Sequence, residues 1–499
     1  MRTALIGLLL VCIGCTTVIA VQPQKEETDY MAVMLQGKKV GYVIHTRSVS
    51  ANIVRTTEQM TITIGRGPSA VVSASTETSI ETADGKPLGF EMTQQTSGII
   101  SKRTGTITPD GKLSVTIHDA AGKNSQTLDW PEGALLAEGL KLAQEKRGLV
   151  KGDSYQVLIF RPDMLQALPA KITIGDKKQI DLLGRVLELT EAATSIQIGS
   201  ESITVTAYVD QALKLRKAVS PMMGMTMEMI DCPKEFALAP DDTFDFLAKL
   251  TLSSPRPLSP AELAGPMSYT LLPQKDTPLN IPTGDFQTVR TDPDGKIIVT
   301  VRPAAMPAGA GCKLPYKGSD PAALTALEST EYIQCADKQI RDLAKQAVGG
   351  TTDAAKASAQ IESFVDGYII QKDLSVGYAS ALEVARSRQG DCSEHALLTA
   401  AICRAAGIPA RVVAGIVYAD VILGKQNAFG AHLWTQVYLD GKWYSLDATR
   451  SSSGFSSGHI ALVYCDGNPT DFYALVNRLG CFVISSAEPE PDKTATKNP

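Results

Sequence analysis

An α+β protein is predicted, with a large antiparallel β-rich region first and a mixed helix-and-sheet region in the last third. Three observations predict it. From Tyr30 to about Leu252 short alternating apolar/polar runs are separated by turn dipeptides; from Pro321 the pattern changes to amphipathic helix; and Asp440-Gly441 then joins two strands as a hairpin. At 499 residues the chain is too long for one ordinary core, and domain-size statistics suggest about three units.

Residues 1–20 form the first element. Arg2 gives a short positive region, Ala4 to Gly14 an apolar run and Val18-Ile19-Ala20 small residues before a cut, the order of a secretory signal. Ile13-Gly14-Cys15 offers lipid anchoring at Cys15 as an alternative, with Cys12 where Leu is usual. Either way the expectation is an exported, periplasmic or cell-envelope protein without a transmembrane segment.

The β-rich domain is expected over 24–252. Met60 to Ile64 alternates, and Ala83-Asp84-Gly85 and Pro109-Asp110-Gly111 are turns; one helix, Glu132 to Lys146, interrupts the strands. Ser253 to Pro260 is Pro-rich and reads as a linker, because proline fixes φ and removes ladder donors. A small β element follows over 265–305, turning at Asp292-Pro293-Asp294-Gly295. Over 320–485 helices are expected at Ala322 to Glu328, Ala336 to Val348, Ala354 to Ile369 and Ala379 to Arg386, and the polar tail 488–499 is expected to be disordered.

Composition narrows the function. Hydrophobic residues at 44% and charged residues at 20% suit a globular chain, and a net charge of −5 without a basic block argues against nucleic acid. Apart from Cys12 and Cys15 seven cysteines remain, an odd number that leaves at least one thiol in an exported protein. No C-x-x-C or Cys/His spacing marks zinc, and Asp241-Asp242 is too sparse for calcium, so neither metal nor cofactor is assigned.

The chemistry is expected at Cys392. In Gly390-Asp391-Cys392-Ser393-Glu394-His395, Asp391 and Glu394 match a capping box that starts a helix ending at Gly407. Cys392 then lies in the first turn, where unpaired N–H groups and the helix dipole favour a thiolate. The two-residue turn at Asp440-Gly441 pairs Leu439 with Lys442. Counting back sets Trp434 opposite Asp447 and His432 opposite Thr449, making His432 and Asp447 diagonal neighbours on one face. Thiol, imidazole and carboxylate form the set of a cysteine nucleophile, its base and its orienting group. Glu394 and His395 are read as local hydrogen-bonding groups, Cys403 as core, Trp434 and Trp443 as packing residues and Arg411 as a surface or supporting charge.

Gly390 to Ala396, Ala405-Ala406-Gly407-Ile408-Pro409-Ala410-Arg411, His432-Leu433-Trp434 and Asp447-Ala448-Thr449, in that order, resemble the transglutaminase-like superfamily over about Pro321 to Val483. Leu433 stands where relatives often have Ala or Val, and Ala448 where they often have Pro. The resemblance implies a papain-like core in which a helix carries Cys392 and an antiparallel sheet carries His432 and Asp447. It implies acyl transfer at peptide or glutamine amide bonds of a protein or peptide substrate, hydrolysis favoured by analogy. The family's oxyanion group is not placed, and Gln389 is only a candidate. A protein-glutamine transglutaminase, or a non-catalytic envelope scaffold with a partner-binding β half, is the alternative. Oligomeric state is not legible.

Overall fold

Two-residue turns with glycine in second place set much of the β register. Gln36-Gly37, Leu183-Gly184 and Met223-Gly224 have positive φ at both positions and join Leu35 to Lys38, Leu182 to Arg185 and Met222 to Met225. That geometry matches the right-handed twist of the strands it connects. The structure is a computed structural model. It describes residues 25–490 apart from 67–68, 97–98, 120–121, 200, 243, 275–278, 308–311, 374–378, 466–473 and 476. The expected signal 1–20, Cys15 and the tail from 491 lie outside the described residues. No helix among the described residues is long and apolar enough to cross a membrane.

The N-terminal strands form one fifteen-stranded, almost wholly antiparallel sheet. Lys25–Leu35 lies between Lys38–Ser50 and Met225–Asp231; one meander runs from it to the edge strand Gly122–Asp129, the other back along the chain to Ala134–Leu135. The sheet curls until its two ends share a core, with the Phe90 and Phe160 rings 5.7 Å apart and Trp130 at 4.6 Å from Phe160. The expected helix is Ala137–Arg147, starting later because Ala134–Leu135 pairs in parallel with Leu158–Ile159. Its free N–H groups at Glu138 and Gly139 donate to the buried Glu81 carboxylate at 2.6 and 2.9 Å, a cap supplied from a distant strand.

The Pro-rich stretch does more than link. Leu252–Ser253 adds an edge strand beside Phe429 and Ala428, and Ser259 and Glu262 form a capping box on the short helix Pro260–Ala264. Nor is the 265–305 segment complete by itself. Gln287–Thr291, Ile297–Val301 and Met267–Pro273 form a sheet in that order, and Phe482–Pro489 supplies its fourth strand. Glu488 and Pro489, expected in the tail, thus pair with Ser268 and Met267 because those edge groups need partners. The buried Gln287 amide both donates to and accepts from Ala461, at 3.0 and 2.8 Å, tying this sheet to the next.

In the C-terminal part the first expected helix is shorter, Pro321–Thr325, while Lys338–Val348, Ala354–Tyr368, Ala381–Ser387 and Cys392–Ala405 lie close to their expected bounds. Asp337 and Asp353 cap the second and third. The sheet runs Leu252–Ser253, Lys425–Leu439, Ala410–Ile422, His459–Cys465, with Lys442–Leu446 also paired to Lys425–Leu439. Val33 of the large sheet, Tyr269 of the small one and Leu397 of the Cys392 helix belong to one continuous buried core, and Arg103 of the large sheet pairs with Glu331.

Candidate active site

The start of the Cys392 helix is fixed from both sides. Asp391 accepts from the Ser393 N–H at 3.2 Å, and Glu394 accepts from the Asp391 N–H at 2.9 Å and from the Ala379 N–H at 2.8 Å. Only glycine fits at 390, where φ is +151° and an added Cβ would lie 2.3 Å from Cβ and Cγ of Glu394. Gly390→Ala is therefore expected to cost about 1–3 kcal/mol in urea unfolding and to slow thiol labelling of Cys392, since the cap must shift. Cys392, half-buried, is the first helical residue, and the seven cysteines from Cys232 to Cys481 are all outside disulfides. Thr435 Oγ1 donates to the Ala396 carbonyl at 2.9 Å, holding this helix against the His432 strand one turn beyond Cys392.

Glu394 is fully buried, and burial beside the Asp391 carboxylate pushes its acid up to about 8. A raised carboxyl keeps its proton in the folded state and loses it in the unfolded one, so its contribution fades as pH rises from the unfolded value through 8. Stability is expected to fall over that window by at most about 1.4 kcal/mol per pH unit from this group. Thermal melts of Glu394→Gln across pH 5–8 should show a flatter dependence; an unchanged slope would contradict it.

His432 and Asp447 come together, by a route different from the simple ladder. The hairpin register is as counted from Leu439↔Lys442 to Thr435↔Leu446, and there the pairing stops. Asp447 and Thr449 are not opposite Trp434 and His432: the chain turns into a single 3₁₀ turn, Ala448–Arg450, which Asp447 caps by accepting from the Thr449 N–H at 3.2 Å. Leaving the ladder frees the side chain to turn toward His432, whose Nε2 lies 2.8 Å from Asp447 Oδ2. Glu362 accepts from the Asp447 N–H at 2.6 Å and fixes the backbone at that point. Burial opposes a charge on Asp447, but the His432 and His459 imidazoles outweigh it and hold the carboxyl far below its usual range.

His459, absent from the sequence reading, is the second imidazole. It opens the strand His459–Cys465, is fully buried, and places Nε2 3.0 Å from the same Asp447 Oδ2. The one available signal was scarcity: His395, His432 and His459 are three of the chain's five histidines, and all are near Asp447. His432, Asp447 and His459 present atoms within 4.8 Å of one another, a spacing a metal could use and one that no linear motif displays. The two nitrogen–oxygen distances are those of N–H···O bonds, so a metal would have to displace both protons.

Other readings resolve locally. His395 Nδ1 lies 2.6 Å from the Asp391 carbonyl, to which it donates. Gln389 Nε2 faces Asp373 Oδ1 at 3.5 Å. Arg411 is not a loose surface charge: its guanidinium lies 4.0 Å from the Trp443 ring centroid and 3.9 Å from that of Tyr464. Trp434 is packed beside His432, 6.1 Å between ring centroids, in space opened by Gly415, where a Cβ would meet its ring at 2.9 Å. A cavity of about 650 Å³ lined by Cys312, Tyr316, Gly407 and Tyr438 includes none of Cys392, His432 or Asp447.

Residues 341–448, which contain Cys392, His432 and Asp447, match the model of the transglutaminase-like superfamily. The C-terminal third thus carries a transglutaminase-like core. No curated protein matches the chain. Among solved structures it is similar to a putative cysteine protease from Cytophaga hutchinsonii, at 16% identity over 48% of this chain and 85% of that one with a TM-score of 0.29. A β-barrel-like protein of the domain of unknown function DUF1849 from Brucella abortus is similar at 12% identity over 41% and 94%, TM-score 0.31. The periplasmic domain of TgpA from Pseudomonas aeruginosa, bound to ethylmercury, is similar at 18% identity over 45% and 79%, TM-score 0.26.

Proposed function

We propose that this chain is an exported cysteine enzyme that breaks peptide or glutamine amide bonds through Cys392, His432 and Asp447, with water as the usual acyl acceptor. The observation that carries the reading is the buried 2.8 Å bond between His432 Nε2 and Asp447 Oδ2, on the sheet packed against the helix that Cys392 opens. With Nε2–H given to Asp447, Nδ1 is the nitrogen left to exchange a proton with the thiol. The Cys392 thiolate adds to the carbonyl carbon, and the helix N-terminus offers N–H groups to the developing oxyanion. As the C–N bond breaks, His432 gives its Nδ1 proton to the leaving amine, leaving a thioester on Cys392. His432 then takes a proton from water, the hydroxide adds to the thioester, and the thiolate departs with the acid as product.

A primary amine in place of water gives transamidation, and the fate depends on which nucleophile reaches the thioester. Incubating the mature protein with a peptide library, and separately with a glutamine donor plus a primary amine, separates the two. Peptide cleavage, or ammonia release without amine uptake, supports hydrolysis; amine incorporation without cleavage overturns that preference. Absence of both products in both assays would overturn the enzyme reading.

A further inference from the structure

One oxygen of Asp447 serves two imidazoles, with His432 Nε2 at 2.8 Å and His459 Nε2 at 3.0 Å from Oδ2. The proton on His459 can be located from its other nitrogen. The Ser456 backbone N–H, which can only donate, lies 3.2 Å from Nδ1 and makes it the acceptor. The neutral ring's proton is then on Nε2, aimed at Asp447. The Ser456 carbonyl lies 3.0 Å from Nδ1 and would accept from an Nδ1–H, but in a neutral ring that tautomer sets a bare Nε2 against the Asp447 carboxylate, and the doubly protonated ring is disfavoured by burial.

Packing does not require a histidine here. The ring packs tilted against Phe455 at 4.6 Å and edge-on to Trp434 at 5.2 Å, where a phenyl ring would fit. Burying an imidazole there instead costs desolvation that only its hydrogen bonds recover. We propose that His459 is a positioning residue, whose Nε2–H holds Asp447 Oδ2 in line with His432 and draws off part of the carboxylate's negative charge. His432 is thereby held in the Nε2–H tautomer, whose Nδ1 can take the Cys392 proton and return it to a leaving amine. The proposal rests on the Cys392 chemistry above. The other ionisable neighbours are Arg450 near His459, Glu362 behind the Asp447 N–H, and His395 on the Cys392 helix.

Two substitutions separate donor from packing: His459→Gln keeps an N–H near the Nε2 position but loses the ring, and His459→Phe keeps the ring but loses the N–H. Alkylation of Cys392 by iodoacetate needs no substrate, and its pH profile reads the pairing of the thiol with His432. With the donor gone, the full Asp447 charge falls on His432, so His459→Phe should move the alkaline limb of that profile upward by about one pH unit and lower kcat roughly tenfold with KM unchanged. His459→Gln should follow the unsubstituted protein. Equal profiles for all three proteins, or a larger defect in the Gln variant than in the Phe variant, would overturn the proposal. Imidazole ¹⁵N spectra of the unsubstituted protein give a test that does not depend on variant folding: a neutral His459 protonated at Nδ1 refutes it, and one protonated at Nε2 supports it. A protein that hydrolyses no amide but keeps the His459-dependent alkylation profile would refute the hydrolase reading and support this one.

Discussion

Cys392→Ala is expected to reduce amide turnover by on the order of 10⁵-fold or more, down to background, while the protein keeps its fold. The sulfur is the only group in this reading that forms a bond to substrate, so its loss removes the covalent route rather than tuning it. The substitution is mild structurally, because Cys392 is half-buried at a helix start whose cap is made by Asp391 and Glu394. Cys403→Ala on the same helix is the matched control. That thiol is fully buried and burial pushes it far up, so the variant should lose about 1 kcal/mol of stability yet retain turnover. Progress curves on a cleaved peptide and denaturant melts of both variants check this. Full activity in Cys392→Ala would refute the nucleophile assignment.

Asp447→Asn is expected to lower kcat by about 10⁴-fold, with a much smaller change in KM. An amide has one accepting oxygen, and turning its NH₂ toward His432 would force the Nδ1–H tautomer, which cannot accept a proton from the thiol. The stability cost should be larger in Asp447→Ala. Two buried imidazole N–H groups and the Thr449 N–H would lose their acceptor, and breaking a buried charged set costs about 3–5 kcal/mol. Because the Asp447 carboxyl is depressed in the fold, its contribution is present above the unfolded carboxylate value and disappears only as pH falls through the lower folded one. Melts at pH 7 and at pH 3 should therefore bring the Ala variant and the unsubstituted protein closer together in acid.

How much was legible in the sequence depended on the range of each interaction. Asp440-Gly441 is a local turn, so the register of Leu439 with Lys442 could be counted out to Leu446. The break after it could not, because it is caused by Glu362 from another helix and by the cap on Thr449. The capping box at Asp391 was readable for the same local reason, whereas the steric need for Gly390 appears only once the Glu394 side chain has folded back onto it. His459 was invisible as a site residue: a histidine at a strand start has no local pattern, and it reaches Asp447 only because Gly415 in Ala410–Ile422 pairs with both His432 and Ala461 on its two flanking strands. In the first half alternation marked strands but not neighbours. Nothing near Lys25–Leu35 indicates that Met225–Asp231, almost two hundred residues later, lies beside it.

The strand Phe482–Pro489 has a bearing on synthesis. A nascent chain emerges N-terminus first, so Met267–Pro273 leaves the ribosome long before its partner and has an open edge on that side until Phe482–Pro489 arrives. For the same interval the Tyr269 hydroxyl, which in the folded protein bonds the Ser457 carbonyl, has no acceptor there, because that residue also comes late. The small sheet therefore acts as a latch, and maturation of the thiol-bearing core is tied to the arrival of Phe482–Pro489. A polypeptide that stops before Phe482 would be left with that edge unlatched.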